Sequence, residues 1–143
     1  MFKSIDSLSD IKELMDMVCY FHDSCIKEMK YISGAYVRNN DLAMYPINDK
    51  RIISVIIQTQ LEKIRDVELE FSDLVFLKLF PNDEHYTCEI LGASIFLKDG
   101  CFIFCENSDI PLEDIEEYEG TVICAKKLRW RYSGDDNKKY NKQ

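Results

Sequence analysis

Glycine, proline and histidine are scarce: five glycines, three prolines and two histidines serve all 143 residues. The chain has no G-x-G-x-x-G and no G-x-x-x-x-G-K, the loops whose bare backbone cradles phosphates, and no H-E-x-x-H or G-x-S-x-G. His22 and His85 leave little material for a triad or a histidine-based metal centre. No stretch approaches the ~20 apolar residues that cross a bilayer, and the amino terminus carries Lys3, Asp6 and Asp10 where a signal peptide would be apolar. These absences predict a cytoplasmic protein without a membrane partner, catalytic motif, metal or cofactor.

What is present suffices for a core. Residues are 46% hydrophobic and 31% charged, which predicts one packed domain over residues 1–132 with a wet exterior. Six cysteines (Cys19, Cys25, Cys88, Cys101, Cys105 and Cys124) read as reduced thiols, because disulfide frameworks belong to secreted chains with little core. Most of them sit inside apolar runs, where cysteine acts as a small hydrophobe.

Charge is sorted into blocks within the net −8. Residues 106–119 carry seven acids and no base; residues 120–143 carry seven bases against two acids. Duplex nucleic acid is disfavoured as a ligand, because the acidic block would repel phosphates beside any basic dock. A basic protein partner suits the acids better, and Glu113, Asp114, Glu116 and Glu117 are the candidate contacts. The competing reading is solvation, with the acids paired to Lys126, Lys127, Arg129 and Arg131 on the next strand.

Apolar spacing predicts an amphipathic helix over 7–19, started by Ser7 with Asp10. Strands follow over 25–37, with a bulge near Gly34, and over 51–60, with a loop at 39–51 between them. Residues 67–71 and 74–80 read as a hairpin turned at Ser72-Asp73, and 86–90 and 93–97 as two short strands or one strand interrupted at Gly92. Asp99-Gly100 reverses the chain into 101–105. Pro111 opens a short helix within 109–119, a long strand closes the domain over 121–132, and 133–143 reads as a disordered tail. The expected class is α+β, a mainly antiparallel roll or sandwich with an N-terminal amphipathic helix. A closed barrel plugged by that helix is the alternative.

The junction at 20–25 gathers His22, Asp23, Ser24 and Cys25. One reading pairs His22 with Cys25 as a nucleophile, or places a small-molecule or hydrolytic pocket near His22, Asp23 and Trp130. The other spends these side chains on helix and turn backbone, because successive strand residues face opposite ways. His85 and Cys88 with Cys101, Cys105 and Cys124 lack the tight knuckle of a zinc site. In the 126–132 run, Leu128, Trp130 and Tyr132 alternate with Arg129 and Arg131. This predicts a core-facing aromatic row with a charged outer face and denies single strands a stacking platform. Oligomeric state is not legible.

Phe21-His22-Asp23-Ser24, between a leading helix and a charged strand and followed by Val67-Glu68-Leu69-Glu70-Phe71, resembles a group of uncharacterised small bacterial proteins. These open on Phe-His-Asp-Ser or Phe-His-Asp-Ala. Gly34-Ala35-Tyr36-Val37, the 88–93 run and Cys124-Ala125-Lys126-Lys127 also resemble a narrower uncharacterised set, and the similarity spans most of the chain, to about Tyr132. Some similar sequences are grouped with immunity proteins of bacterial toxin systems. The resemblance thus implies a protein that binds and silences a toxin domain, and it carries over no catalytic residue.

Overall fold

The computed structural model describes residues 1–132. The tail expected to be disordered, 133–143, lies outside the described residues.

The Ser7 hydroxyl accepts from Asp10 N at 3.2 Å and starts α1 (Leu8–Met17). The Asp10 carboxylate reaches back to Asp6 N at 2.9 Å, so Ser7 satisfies one free amide of the first turn while Asp10 holds the residue before the cap. Ile11, Leu14, Met15 and the following Val18 are buried, while Lys12, Glu13 and Asp16 are exposed, as the helical spacing predicted.

The strands are β1 (Lys3–Ile5), β2 (Cys25–Ile32), β3 (Tyr36–Val37), β4 (Met44–Tyr45), β5 (Ile52–Gln58), β6 (Asp66–Lys78), β7 (Ser94–Lys98), β8 (Cys101–Cys105) and β9 (Val122–Tyr132). All but β3 and β4 join one antiparallel sheet in the order β2-β5-β6-β9-β8-β7, and β9 is its spine. On one side β9 pairs with β6 along its whole length; on the other it pairs with β8 at Val122–Ala125 and with β1 at Leu128–Trp130. Alternate residues of β5, β6 and β9 (Ile53, Val55, Ile57, Val67, Leu69, Phe71, Ile123, Ala125, Leu128, Trp130) form one buried face that α1 covers. Fully burying side chains of this size contributes roughly 1.5–3 kcal/mol each.

The fold is α+β with a mainly antiparallel sheet, and the barrel alternative does not form. The sheet curls until a single bridge, Ser24 to Ile90, ties the start of β2 to the segment before β7, and closure stops there.

Four local expectations change. Residues 67–71 and 74–80 are not a hairpin but one strand, β6, because β9 is long enough to pair with both halves. The Ser72-Asp73 signal survives as a kink: Asp73 has φ +52°, and the register shifts between Leu74 and Phe76. Residues 86–90 form no strand beyond the Ile90 bridge, and the bulge in β2 lies between Ile26 and Glu28, away from Gly34. Part of the expected 39–51 loop is strand: β4 pairs with β3 to make a small hairpin separate from the main sheet.

Candidate functional site

Residues 109–119 do form a short helical segment, a six-residue 3₁₀ turn at Leu112–Glu117 preceded by Pro111. Its one buried side chain, Ile115, packs with Cys105 and Val122 on the outer face of β8 and β9, supported by Phe96, Ile103, Ile110, Leu112 and Tyr118. That anchor decides where the charges go. With Ile115 facing the sheet, Glu113, Asp114, Glu116 and Glu117 are all exposed.

Three of the four bases that were expected to neutralise these acids pair elsewhere, and Lys126 has no ion-pair partner among the described residues. Across the β6–β9 ladder, Arg129 pairs with Glu70 at 2.7 Å and Arg131 with Glu68 at 2.8 Å, and Lys127 lies 3.7 Å from Asp73. The Phe2 ring lies against both guanidinium groups, 4.1 Å from that of Arg129 and 4.3 Å from that of Arg131. Among the described residues no ion pair includes an acid between positions 106 and 119. The alternation predicted for 126–132 is present: Leu128 and Trp130 are buried and the arginines point out, although Tyr132 ends the strand exposed, stacked on Trp130.

His22 and Asp23 lie on an unusual backbone. Cys19, Tyr20, Phe21 and Asp23 all have φ between +52° and +59°, so the chain leaves α1 through a left-handed turn. Such a conformation costs roughly 1–2 kcal/mol per non-glycine residue. Phe21, completely buried in the core, offsets part of that cost, and bonds to the 90–93 loop hold the turn: Asp23 N to Ile90 O at 2.9 Å and Ala93 N to Tyr20 O at 2.8 Å. The His22 side chain points to solvent with its Nδ1 3.1 Å from an Asp23 oxygen, and its backbone amide bonds Cys19 O. The turn is therefore architectural in its backbone, while its imidazole and carboxylate are presented outward.

Cys25 does not meet His22. Burial, then the neighbouring Cys88 thiol, pushes the Cys25 thiol pKa above its ordinary value, the opposite of what a nucleophile needs. Cys101 and Cys124 are neighbours on the outer face of β8 and β9, and burial first, then Cys101, raises the Cys124 thiol. Among the described residues no group of three or more His, Cys, Asp or Glu could hold a metal ion. No helix among them is long and apolar enough to cross a membrane.

The residue that the sequence did not single out is Glu106. It follows β8 directly, is half-buried, and accepts from Thr121 N at 3.2 Å, while burial raises its carboxyl pKa above the usual range. Two adjoining clefts share it. One, of about 240 Å³, is lined chiefly by Ile26, Leu79, Phe80, Cys88 and Ile90. The other, of about 340 Å³, adds Glu89, Asp109 and Tyr118 and contains no base. Burial likewise raises the Tyr118 phenol, with Cys105 and Glu106 contributing, and Lys78 Nζ donates to Tyr118 O. The only sequence signal for Glu106 is its position immediately after an apolar strand.

Compared with known proteins, the chain matches no family model, no curated protein and no solved structure.

Proposed function

We propose that this chain is a non-enzymatic protein-binding domain of immunity or regulatory type, and that Glu113, Asp114, Glu116 and Glu117 receive a basic partner. One observation carries the reading: among the described residues no base pairs with an acid of 106–119, and Lys127, Arg129 and Arg131 pair instead with Asp73, Glu70 and Glu68, so neutralisation by the neighbouring strand does not explain the acidic turn. Its anchorage through Ile115 gives four carboxylates a fixed place on the surface, which lowers the ordering cost of recognition. The resemblance to immunity proteins points the same way. Affinity capture from the native host, with wild type and with all four residues changed to Ser, tests it. Capture of a basic protein by wild type alone supports the reading; equal capture by both removes the acidic surface from consideration.

The second reading, a small-molecule-binding or hydrolytic domain, draws no support from His22, which lines neither of the two clefts at Glu106. The observation that favours it lies on the other side of the Ser24–Ile90 bridge, where Ile90 and the half-buried Glu106 line two adjoining clefts. A ligand panel read by thermal shift, compared between wild type and Glu106→Gln, tests that site. A shift in wild type that is lost in the variant supports it; a panel without shifts counts against it.

A further inference from the structure

Residues 33–50 leave the sheet as an arm. At its base Ser33 O accepts from both Lys50 N and Arg51 N, and Gly34, at φ +99°, lets the strands converge: a methyl there would meet the Asp49 carboxylate and lie 2.8 Å from Lys50 N. The arm is ordered by polar bonds. Arg38 grips Asp41 through Nε at 3.1 Å and Nη2 at 2.9 Å, Tyr45 OH donates to Asp49 at 3.0 Å, and the Tyr36 and Tyr45 rings stack at 5.1 Å.

Its apolar side chains face water. Tyr36, Val37, Leu42, Met44, Tyr45 and Ile47 are all exposed, on a two-stranded hairpin of a size that is marginal by itself in water. Leu42 is the sharpest instance. It is 76% exposed at the tip and held at φ +59°, where Gly or Asn would be the unstrained choice.

A counterpart lies on the same chain. Beyond Arg51, whose carbonyl takes Leu74 N at 3.1 Å, β5 no longer accompanies β6. The overhang pairs only with β9, and its other edge is open among the described residues. Val75, Phe76, Leu79 and Phe80 are exposed there, and Leu79 and Phe80 form one wall of the half-apolar cleft of about 240 Å³.

We propose that the arm of one copy docks on the β6 overhang of a second copy, with Leu42 entering the cleft beside Phe80 and the exchange reciprocal. Three observations select this occupant. The arm's two acids and two bases cancel, so it attracts neither a basic nor an acidic partner, and the one charge on the overhang, Lys78, is bonded to Tyr118 O. The two surfaces match in kind: an apolar hairpin with free edges and an apolar strand with one unpaired edge, the pairing by which strands add to sheets. In area, these ten side chains expose on the order of 1,000 Å² per chain, against the roughly 800 Å² per partner that a stable interface covers. Reciprocal arm exchange gives a closed two-fold dimer, so association stops at two.

Sedimentation across the micromolar range tests the proposal with three proteins: wild type, an arm variant (Leu42→Ser, Met44→Ser, Ile47→Ser) and an edge variant (Val75→Ser, Leu79→Ser, Phe80→Ser). All six changed side chains are exposed, and circular dichroism checks that the variants fold. Wild type is expected to sediment at twice the chain mass, and each variant to weaken association tenfold or more. A benzophenone amino acid in place of Met44 is expected to cross-link to a peptide spanning residues 75–80 of an isotopically labelled second copy. A wild type monomeric throughout the range overturns the proposal. So does an edge variant that dimerises as tightly as wild type, or a cross-link that joins arm to arm.

Discussion

Arg129 holds Glu70 at 2.7 Å across the β6–β9 ladder while its guanidinium lies 4.1 Å from the centre of the Phe2 ring. The same pattern repeats two residues on with Arg131 and Glu68, so the outer face of the sheet neutralises itself in a register set by strand pairing.

The Glu70 side chain is only 13% exposed, which makes its cation more than a surface ornament. Arg129→Ala leaves that carboxylate without its partner and uncovers Phe2. The expected cost is about 1–3 kcal/mol, between an exposed pair and a fully buried one, read as a lower urea midpoint at unchanged slope. Conversion of Lys126, which has no ion-pair partner among the described residues, to Ala is expected to stay within about 0.5 kcal/mol of wild type.

Phe21 links the left-handed turn to the core. Phe21→Ala removes a completely buried ring and is expected to cost about 3–5 kcal/mol. Because the ring also secures the strained backbone, hydrogen exchange at the Asp23 and Ala93 amides, which bond across to Ile90 and Tyr20, is expected to accelerate more than exchange in β9.

These two sites show what local pattern conveys. α1 was legible because its buried face and its Ser7 cap are encoded within thirteen residues, and the β7–β8 hairpin because Asp99 and Gly100, at φ +52° and +74°, are the residues that such a turn requires. The Glu70–Arg129 and Glu68–Arg131 pairs were not, since they depend on β6 pairing with β9 some sixty residues away. That pairing also overrode the Ser72-Asp73 turn signal and kept β6 continuous. The exposure of Glu113, Asp114, Glu116 and Glu117 followed from the three-residue spacing of Leu112, Ile115 and Tyr118, whereas the absence of a paired base among the described residues needed the ladder. Glu106 was hidden because burial, which no charge count records, sets its character.

The tip of the arm offers a trade between stability and association. Leu42→Gly relieves a side chain held at positive φ, so the isolated chain is expected to gain up to about 1 kcal/mol in unfolding free energy. The same change removes the knob proposed to fill the cleft beside Phe80, so association is expected to weaken in sedimentation.

Glu106 makes stability depend on pH with a definite sign. Burial raises its folded pKa above the ordinary 4.5, so between that value and the folded pKa the native state binds more protons than the unfolded state. Stability from this group therefore falls as pH rises through that window. Glu106→Gln keeps an oxygen for Thr121 N and has no charge to bury. Unfolding free energies of variant and wild type are expected to converge below about 4.5 and to separate toward neutral pH, with the variant the more stable; a gap independent of pH would contradict the assignment.

The central claim is that four carboxylates on the Leu112–Glu117 turn recognise a basic protein. The most direct measurement is the affinity of the captured partner for wild type and for the variant with Glu113, Asp114, Glu116 and Glu117 changed to Ser, each titrated at rising salt. Exposed charge pairs contribute roughly 0.2–1 kcal/mol each, so for four of them the expected result is a loss of about fourfold or more in the variant, with a shallower salt dependence. Equal affinities and equal salt slopes for the two proteins would contradict the account.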